Sequence, residues 1–265
     1  MLFLASYPKS GSTWIRTLIS GWHGSTDINN LEGVFSDVSS LVSGARRELS
    51  FEERLLLIPA KLIELESEKP SPIIVKTHNI NALINGINPV PPQMTKGAIY
   101  VVRDPRDVAI SYAHHLGKPI DKAIDLMGDS TTGMLMQGRQ TSMMGSWSDH
   151  VSSWIRKLPY GVLVLRYEDL LADTEEEFNR ICISLGWSTE RTKEIVQACE
   201  FSKLKAQEKS NGFKEKSDRN DLFFRSGKSE WQDVLTDAQV ARIESDHGKM
   251  MSVLNYKLTT LQKVV

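Results

Sequence analysis

Four short apolar runs, each followed by a polar string, are the feature that most restricts the fold of this chain. The runs cover residues 2–5, 73–75, 98–102 and 162–166. Stretches with helical periodicity separate them, and strands that alternate with helices are typical of a parallel sheet covered by helices on both faces. We therefore predict an α/β fold: a single domain over residues 1–265, with a central, mostly parallel sheet flanked by helices.

Several of the helical segments carry recognisable terminal signals. Asp104 and Pro105 suit the N-cap and first turn of one helix, and Thr174 with Glu177 matches the capping box of another. Pro59 is expected to kink or divide a third helix. The predicted helices cover residues 51–68, 106–116, 147–157, 174–185, 189–199 and 236–254.

The remaining segments show no regular pattern. Residues 22–44 are predicted to be irregular and to form part of the rim of a pocket, and residues 79–96 form a proline-rich connection. Five methionines lie within 117–145: Met127, Met134, Met136, Met143 and Met144. They either line an adaptable apolar pocket or fill the core, and both interpretations stay open.

The composition limits the classes of function. With 40% hydrophobic and 25% charged residues and a net charge of −1, the chain has no global field that attracts nucleic acid or anionic membranes. No apolar run reaches the roughly 18 residues of a membrane span, and a strand at the N-terminus is not a signal peptide. Cys182 and Cys199 fall in helix-like segments and are predicted to be buried thiols in a reducing, cytoplasmic compartment.

The first apolar run leads into a predicted anion-binding turn. Its sequence, YPKSGST, places Lys9 and Gly11 just before a helix that includes Trp14. The N–H groups of a helix's first turn have no acceptor within the helix, so they attract anions. The string is not a Walker A motif, because Gly11 stands where that motif has its lysine. We predict a phosphate site with a differently placed lysine; an ordinary surface turn is the plain alternative.

The polar strings after the other three runs are KTH, RDP and RYED. Because ligands of parallel sheets bind beyond the carboxyl ends of the strands, all four strings are expected to face one crevice. The crevice would collect Lys9, Lys76, His78, Arg103 and Ser111. That set suits a polyanion and does not suit a magnesium-nucleotide site, which needs a carboxylate at a strand end. The one carboxylate pair nearby, at 168–169, is interpreted as structural.

In their order along the chain, the strings YPKSGSTW, KTH, VVRDPRDVAISY, RYEDL and FFRSGKSEW resemble the PAPS-dependent sulfotransferases of the cytosolic type. PAPS is 3′-phosphoadenosine 5′-phosphosulfate, and the matching strings span residues 7–231. The resemblance implies a P-loop-like fold and transfer of the sulfuryl group to a hydroxyl, or an amine, of a small or medium-sized metabolite. It implies adenosine 3′,5′-bisphosphate (PAP) as product, no metal, and no nucleic-acid or membrane partner.

The resemblance also implies individual roles. Lys9 would stabilise the departing 5′-phosphate, His78 would be the general base, and Lys76 would add charge near the transferred group. The implied catalytic residues are Lys9, Lys76, His78 and Ser111. The implied nucleotide-binding residues are Lys9, Ser10, Gly11, Ser12, Thr13, Trp14, Arg103, Ser111, Tyr167, Phe201, Arg225, Ser226 and Gly227. Among these, Arg103 and Ser111 would hold the 3′-phosphate.

The late loop departs from the family pattern. Ser226 stands where the family has a lysine, and the stretch from Gly227 to Trp231 is one residue shorter. The family's K-x-x-x-T-V-x-x-x-E dimer motif is not seen near the C-terminus, so both monomer and homodimer stay open. The segments that would contact the acceptor match nothing specific, and the identity of the acceptor is therefore not predicted.

Each role has a plain alternative. His78 could be an ordinary strand-end histidine, Arg103 could pair with Asp104 or Asp107, and Ser111 could bond its own helix. Trp14 and Trp147 could belong to the core, and the lysines of 203–216 form either a solvated face or a basic flap. At the level of function, the alternatives are a small-molecule kinase with a degenerate loop and a nucleotide-binding module without turnover.

Overall fold

The protein is built on seven strands and eleven α-helices among the residues that the structure, a computed structural model, describes. These are residues 1–31, 35–37, 49–68, 73–136, 139–215, 222–224 and 227–259. The strands are β1 (Leu2–Ser6), β2 (Phe35–Asp37), β3 (Ile74–Thr77), β4 (Gly97–Val102), β5 (Gly133–Met136), β6 (Arg139–Met143) and β7 (Gly161–Arg166). The helices are α1 (Ser12–Trp22), α2 (Phe51–Glu68), α3 (Pro105–Leu116), α4 (Ile120–Gly128), α5 (Trp147–Ile155), α6 (Tyr167–Ala172), α7 (Thr174–Ser184), α8 (Thr192–Ala198), α9 (Phe201–Asn211), α10 (Trp231–Val234) and α11 (Asp237–Val253).

Five of the strands form one parallel sheet in the order β2-β3-β1-β4-β7, and β5 and β6 form a separate antiparallel hairpin. Successive residues of β1 point to opposite faces: Phe3 belongs to one buried cluster and Leu4 to another. Tyr100 and Ile99 of β4 divide in the same way. Because both faces are apolar, the strands appear in the sequence as continuous hydrophobic runs. The predicted α/β fold with a mostly parallel sheet is confirmed.

Some predicted helix termini are confirmed and one is wrong. Asp104 caps α3 by accepting a hydrogen bond from the N–H of Arg106, as predicted. The capping box of Thr174 and Glu177 does not form, because Asp173 is the N-cap of α7 and accepts from the N–H of Glu176. Pro59 lies inside α2, which continues through it as one helix rather than dividing.

The segments without a predicted pattern contain more regular structure than expected. Residues 35–37 form the edge strand β2, and 117–145 contains α4 and the β5-β6 hairpin. Met127 and Met144 are buried in the core, which favours the core interpretation for these two methionines. The side chain of Met136 lies outside the described residues.

The two cysteines are buried thiols, as predicted. Cys182 and Cys199 are both free, and burial raises the pKa of the first to about 11 and of the second to about 12. No helix among the described residues is long and apolar enough to cross a membrane.

Candidate active site

The loop between β1 and α1, residues 7–11, is called the phosphate loop here. Lys9 and Gly11 both have positive φ values, +67° and +101°. Gly11 is the N-cap of α1 and offers no side chain to the first turn. Its carbonyl accepts from the N–H of Trp14 at 3.0 Å, which starts the helix directly after the loop. The chain therefore bends back on itself so that the helix N-terminus lies at the carboxyl end of β1.

Several hydrogen-bond donors at the end of this loop and in the first turn of α1 have no described acceptor. The N–H groups of residues 10–13 have no hydrogen-bond acceptor among the described residues. The hydroxyl of Ser10 is fully buried and also lacks a described partner. Buried polar groups are normally paired, since an unpaired one costs about 1–3 kcal/mol. A cluster of such donors at a helix N-terminus is a site that fits a phosphate group.

Tyr167 explains why position 11 is glycine. A Cβ on Gly11 would stand 2.5 Å from the ring of Tyr167, well inside van der Waals contact. Arg103 lies against the same ring, with its guanidinium carbon 4.6 Å from the ring centre. The ring thus fixes both the backbone of the phosphate loop and the arginine beside it.

Arg103 has no carboxylate partner among the described residues, contrary to the plain alternative. Its guanidinium donates weakly to the carbonyls of Lys9 (3.5 Å) and Lys228 (3.4 Å), and its buried Nε atom has no partner in the described part of the chain. Asp104 pairs with Arg106 instead, at 2.6 Å. The positive charge at the end of β4 is therefore available to an anion.

A cavity of about 330 Å³ opens beside Arg103 and Tyr167. Two of its lining residues are acidic, but both carboxylates are already engaged. Asp107 accepts from the hydroxyl of Ser229 (2.6 Å) and from two backbone N–H groups that follow it. Glu168 accepts from the N–H of Asp104 and the hydroxyl of Tyr256, and burial raises its pKa. Both carboxylates are therefore occupied by hydrogen bonds to the groups that surround the cavity.

Ser111 lies on α3, half-buried, and its hydroxyl has no hydrogen bond within the described structure. The alternative that it bonds its own helix is therefore not seen.

Glu168 and Asp169 are structural, as interpreted from the sequence: the first is bound as above, and the second pairs with Arg166 at 3.2 Å.

The aromatic residues predicted at the adenine site lie close together. Trp14 is buried, its ring meets that of Tyr167 edge-on at 6.1 Å, and its Nε1–H donates to the carbonyl of Cys199 at 3.1 Å. Phe201 follows at the start of α9, half-buried, with its ring 3.0 Å from where a Cβ of Gly227 would be. Arg225 and Ser226 lie outside the described residues.

His78 follows β3, the strand next to β1. Its Nδ1 lies 2.7 Å from the carbonyl oxygen of Ser6 and 3.4 Å from the hydroxyl of the same residue. A carbonyl oxygen can only accept, so Nδ1 carries the proton and the neutral ring keeps its lone pair on Nε2. Lys76, two residues earlier, is half-buried on β3. The end of β1 therefore fixes the tautomer of His78, with the lone pair on Nε2.

Sequence reasoning missed several residues that complete the site. Phe223 lies under Lys9, with Nζ 4.0 Å from the ring centre. Glu208 of α9 is buried and accepts from the N–H groups of Phe223 and Phe224 at 2.6 and 2.9 Å. The position of Phe223 two residues before Arg225 was the signal available in the sequence.

A second missed contact joins the lysine-rich segment to helix α1, directly after the phosphate loop. Glu215 pairs with Arg16, which is buried on α1, and accepts from the hydroxyl of Thr13 at 3.4 Å. Lys203 and Lys209 are exposed. The segment therefore presents a solvated lysine face on one side, while Glu208 and Glu215 attach it to the site.

Among the described residues, no group of three or more His, Cys, Asp or Glu side chains is arranged to hold a metal ion.

Comparison with known proteins places these features in one family. The family model of the sulfotransferase domain matches residues 1–254. Sulfotransferase 1A1 of Canis lupus familiaris is 30% identical over 260 residues, covering 94% of this chain and 83% of the relative. Retinol dehydratase, solved with androsterone and the inactive cofactor PAP, superposes with a TM-score of 0.65 at 20% identity over 98% of this chain and 82% of its own. Mouse sulfotransferase SULT7A1, solved with PAP, gives a TM-score of 0.63 at 24% identity over 94% and 84%.

Proposed function

This chain belongs to the sulfotransferase family, and we propose that it transfers the sulfuryl group of PAPS to a hydroxyl, or an amine, of a small or medium-sized molecule and releases PAP. The observation that carries the proposal is the phosphate loop with the unpaired hydroxyl of Ser10, together with His78, whose Nδ1 faces the carbonyl of Ser6 and so leaves the lone pair on Nε2. The loop follows β1 and His78 follows β3, and these two strands are neighbours. The proposed anion site and the proposed general base thus follow adjacent strands.

The residues present fit PAPS on three counts. The N–H groups of residues 10–13 and the buried hydroxyl of Ser10 would hold the 5′-phosphate. Arg103, free of carboxylates in the described structure, would hold the 3′-phosphate together with Ser111. The rings of Trp14 and Phe201 would hold the adenine, with Tyr167 beside them. Gly227 and the neighbouring Arg225 and Ser226 would cover the 3′-phosphate.

PAPS supplies an activated sulfur whose bond to the 5′-phosphate oxygen breaks as the acceptor atom attacks. Nε2 of His78 would take the acceptor's proton, which a neutral imidazole does well near pH 7. The ammonium of Lys9 would stabilise the charge that develops on the 5′-phosphate, and Phe223 holds that ammonium in place. Lys76 would add positive charge near the transferred group.

The acceptor is a small molecule in this proposal, with a hydroxyl, whose proton a general base removes, as the expected acceptor group. The buried, free thiols of Cys182 and Cys199 support a cytoplasmic location. The α4 helix and the β5-β6 hairpin, which lie within residues 117–145, are proposed to contribute to the choice of acceptor.

Ligand stabilisation separates this proposal from the kinase alternative. PAP should raise the melting temperature, because a ligand selective for the folded state stabilises it, and it should do so more than ATP with Mg²⁺. A much larger effect of ATP with Mg²⁺ would favour the kinase. Incubation with PAPS and a panel of phenols, alcohols and amines, with mass spectrometry of the products, then identifies the acceptor. PAP binding without any product across the panel would favour a module without turnover.

The His78→Ala variant tests the base. We expect the kcat to fall by about 10²- to 10⁴-fold, the usual contribution of general base catalysis, while the Kd of PAP stays within about threefold. His23→Ala, which changes an exposed histidine at the end of α1, is the control and should leave both quantities unchanged. Substantial residual turnover of His78→Ala would remove His78 from the base role.

The Arg103→Ala variant tests the 3′-phosphate contact. Loss of charged hydrogen bonds should weaken PAP by about tenfold or more, while adenosine 5′-monophosphate, which lacks that phosphate, should bind almost unchanged. Arg191→Ala, at an exposed ion pair with Glu194, is the control. Equal weakening of both nucleotides would mean that Arg103 only supports the fold.

A further inference from the structure

The residues after β3, 78–81, are called the base loop here, and helix α5 holds them through several side chains. Four hydrogen bonds join backbone groups of this loop to α5 and to the residue that follows it. They are His150 Nε2 to the carbonyl of His78 (3.3 Å), Trp154 Nε1 to the carbonyl of Asn79 (3.1 Å), Asn81 N–H to Ser153 Oγ (3.0 Å) and Arg156 to the carbonyl of Asn81 (2.8 Å). The backbone that carries His78 is thus fixed from one side of the sheet.

His150 is the contact that reaches His78 itself. Its side chain is fully buried, and burial lowers its pKa to about 3, so the ring is neutral at pH 7. Because the carbonyl oxygen of His78 can only accept, Nε2 of His150 must carry the ring's single proton. Its Nδ1 is then a pure acceptor, and the hydroxyl of Tyr100, 2.9 Å away, must donate to it.

The ring of His150 cannot turn away from this arrangement. Tyr100 stacks on one side with ring centres 5.7 Å apart, and Tyr7 meets it edge-on at 5.5 Å. Both tyrosines are fully buried. The packing therefore keeps His150 in place between its two partners: Tyr100 donates to its Nδ1, and its Nε2 donates to the carbonyl of His78.

We propose that His150 is a positioning residue for His78, and that Tyr100 stabilises the tautomer in which His150 performs this role by donating to its Nδ1. The inference rests on the proposed function of His78 as the base. His78 is held at two points: β1 binds its side chain through the carbonyl of Ser6, and α5 binds its backbone through His150. Together these contacts fix both the place and the orientation of Nε2, and displacement of a catalytic group by about 1 Å can cost up to about a hundredfold in rate.

Substitution of His150 distinguishes positioning from general support of the fold. His150→Phe keeps an aromatic ring but removes both hydrogen bonds, and we expect the kcat to fall by about tenfold while the Kd of PAP stays within about twofold. His150→Gln should restore most of the kcat, because its amide N–H₂ can donate to the carbonyl of His78 and its oxygen can accept from Tyr100. Tyr100→Phe keeps the stacking and should give a smaller loss of kcat.

The control is His247→Phe, which changes another buried histidine that contacts α5. His247 hydrogen-bonds Ser148 at 2.9 Å, and within the described structure it makes no hydrogen bond to the base loop. Its substitution should lower the melting temperature without lowering the kcat of the folded protein. If His150→Phe fails to fold, Tyr100→Phe compared with His247→Phe carries the same test.

A double-variant cycle completes the experiment. In the His78→Ala background, His150→Phe should cause no further loss of the residual turnover, because the group it positions is gone. An equal loss of kcat in both backgrounds would overturn the positioning role, and so would a wild-type kcat for His150→Phe. If His78→Ala itself keeps substantial turnover, the base assignment fails instead, and the two failures are distinguishable.

Discussion

The phosphate loop and the base loop follow neighbouring parallel strands, but they are constructed in opposite ways. The phosphate loop contains two residues with positive φ, a run of N–H groups without described acceptors and the unpaired hydroxyl of Ser10. In the base loop, the N–H of Asn79 donates to Thr77, that of Ile80 to the carbonyl of Met143, and that of Asn81 to Ser153. The phosphate loop thus has N–H donors without described acceptors, whereas three N–H groups of the base loop have acceptors.

This difference separates binding from catalysis. Open donors cost free energy in the empty protein and recover it when an anion binds, so the phosphate loop should respond strongly to ligand. A loop whose backbone is held by several hydrogen bonds keeps its structure with and without ligand, so the base it carries is preorganised. Substitutions in the two loops should therefore affect different measurements.

The largest effect is expected for Gly11→Ala in the phosphate loop. The left-handed backbone at φ +101° costs an alanine about 1–2 kcal/mol, and the clash of its Cβ with Tyr167 at 2.5 Å adds about 1–3 kcal/mol. We expect a loss of about 3 kcal/mol in the free energy of unfolding, measured with urea, together with weaker PAP binding.

Gly24→Ala is the matched control for this variant. Gly24 has a similar φ of +95°, but a Cβ added there would meet nothing within 4 Å, so only the backbone cost of about 1–2 kcal/mol should remain. Equal losses for the two variants would mean that the contact with Tyr167 does not restrict position 11.

Two serine substitutions, one in each region, should have opposite effects on stability and on PAP binding. Ser10→Ala removes a buried hydroxyl without a described partner, so the empty protein should keep its stability or gain up to about 1 kcal/mol. The same change should weaken PAP by about tenfold, since it removes one donor to a charged phosphate.

Ser153→Ala acts on the base loop and should do the reverse. It leaves the buried N–H of Asn81 without its acceptor and should cost about 1–3 kcal/mol of unfolding free energy, with the Kd of PAP unchanged. Chemical denaturation and titration of PAP by calorimetry measure both quantities for both variants. A lower stability for Ser10→Ala would show that its hydroxyl is already satisfied in the empty protein.

The local parts of this structure could be predicted from the sequence. The short apolar runs identified β1, β3, β4 and β7, and Asp104 with Pro105 identified the start of α3. The topology of a parallel sheet then placed the polar strings after these strands at one edge. The phosphate loop was also recognisable, because its strand, turn and helix are contiguous in the sequence.

The parts that could not be predicted depend on residues far apart in the sequence, on segments too short to show a pattern, or on adjacent residues that suit the same role equally well. His150 lies 72 residues from His78 and appears in the sequence as an ordinary helical histidine. β2 has only three residues, too few to show a strand pattern in an irregular stretch. At the start of α7, Asp173 and Thr174 are adjacent and both are good N-cap residues, so the sequence could not decide between them.

The last expected difference concerns the pH dependence of stability, which should reflect His150 beside the base loop and not the phosphate loop. Burial lowers the pKa of His150 to about 3, below the 6.5 of an exposed histidine, so between these values the unfolded chain binds a proton that the folded protein does not. Stability contributed by the neutral ring is complete above pH 6.5 and is lost as the pH falls, by up to about 1.4 kcal/mol per pH unit. The free energy of unfolding should therefore decrease from pH 6.5 to 5, above the range in which most carboxyl groups titrate. His150→Gln removes this contribution and should flatten the profile by about one proton, whereas Ser10→Ala, which changes no ionisable group, should keep the wild-type slope. The same slope in all three proteins would mean that the support of the base loop does not depend on a neutral His150.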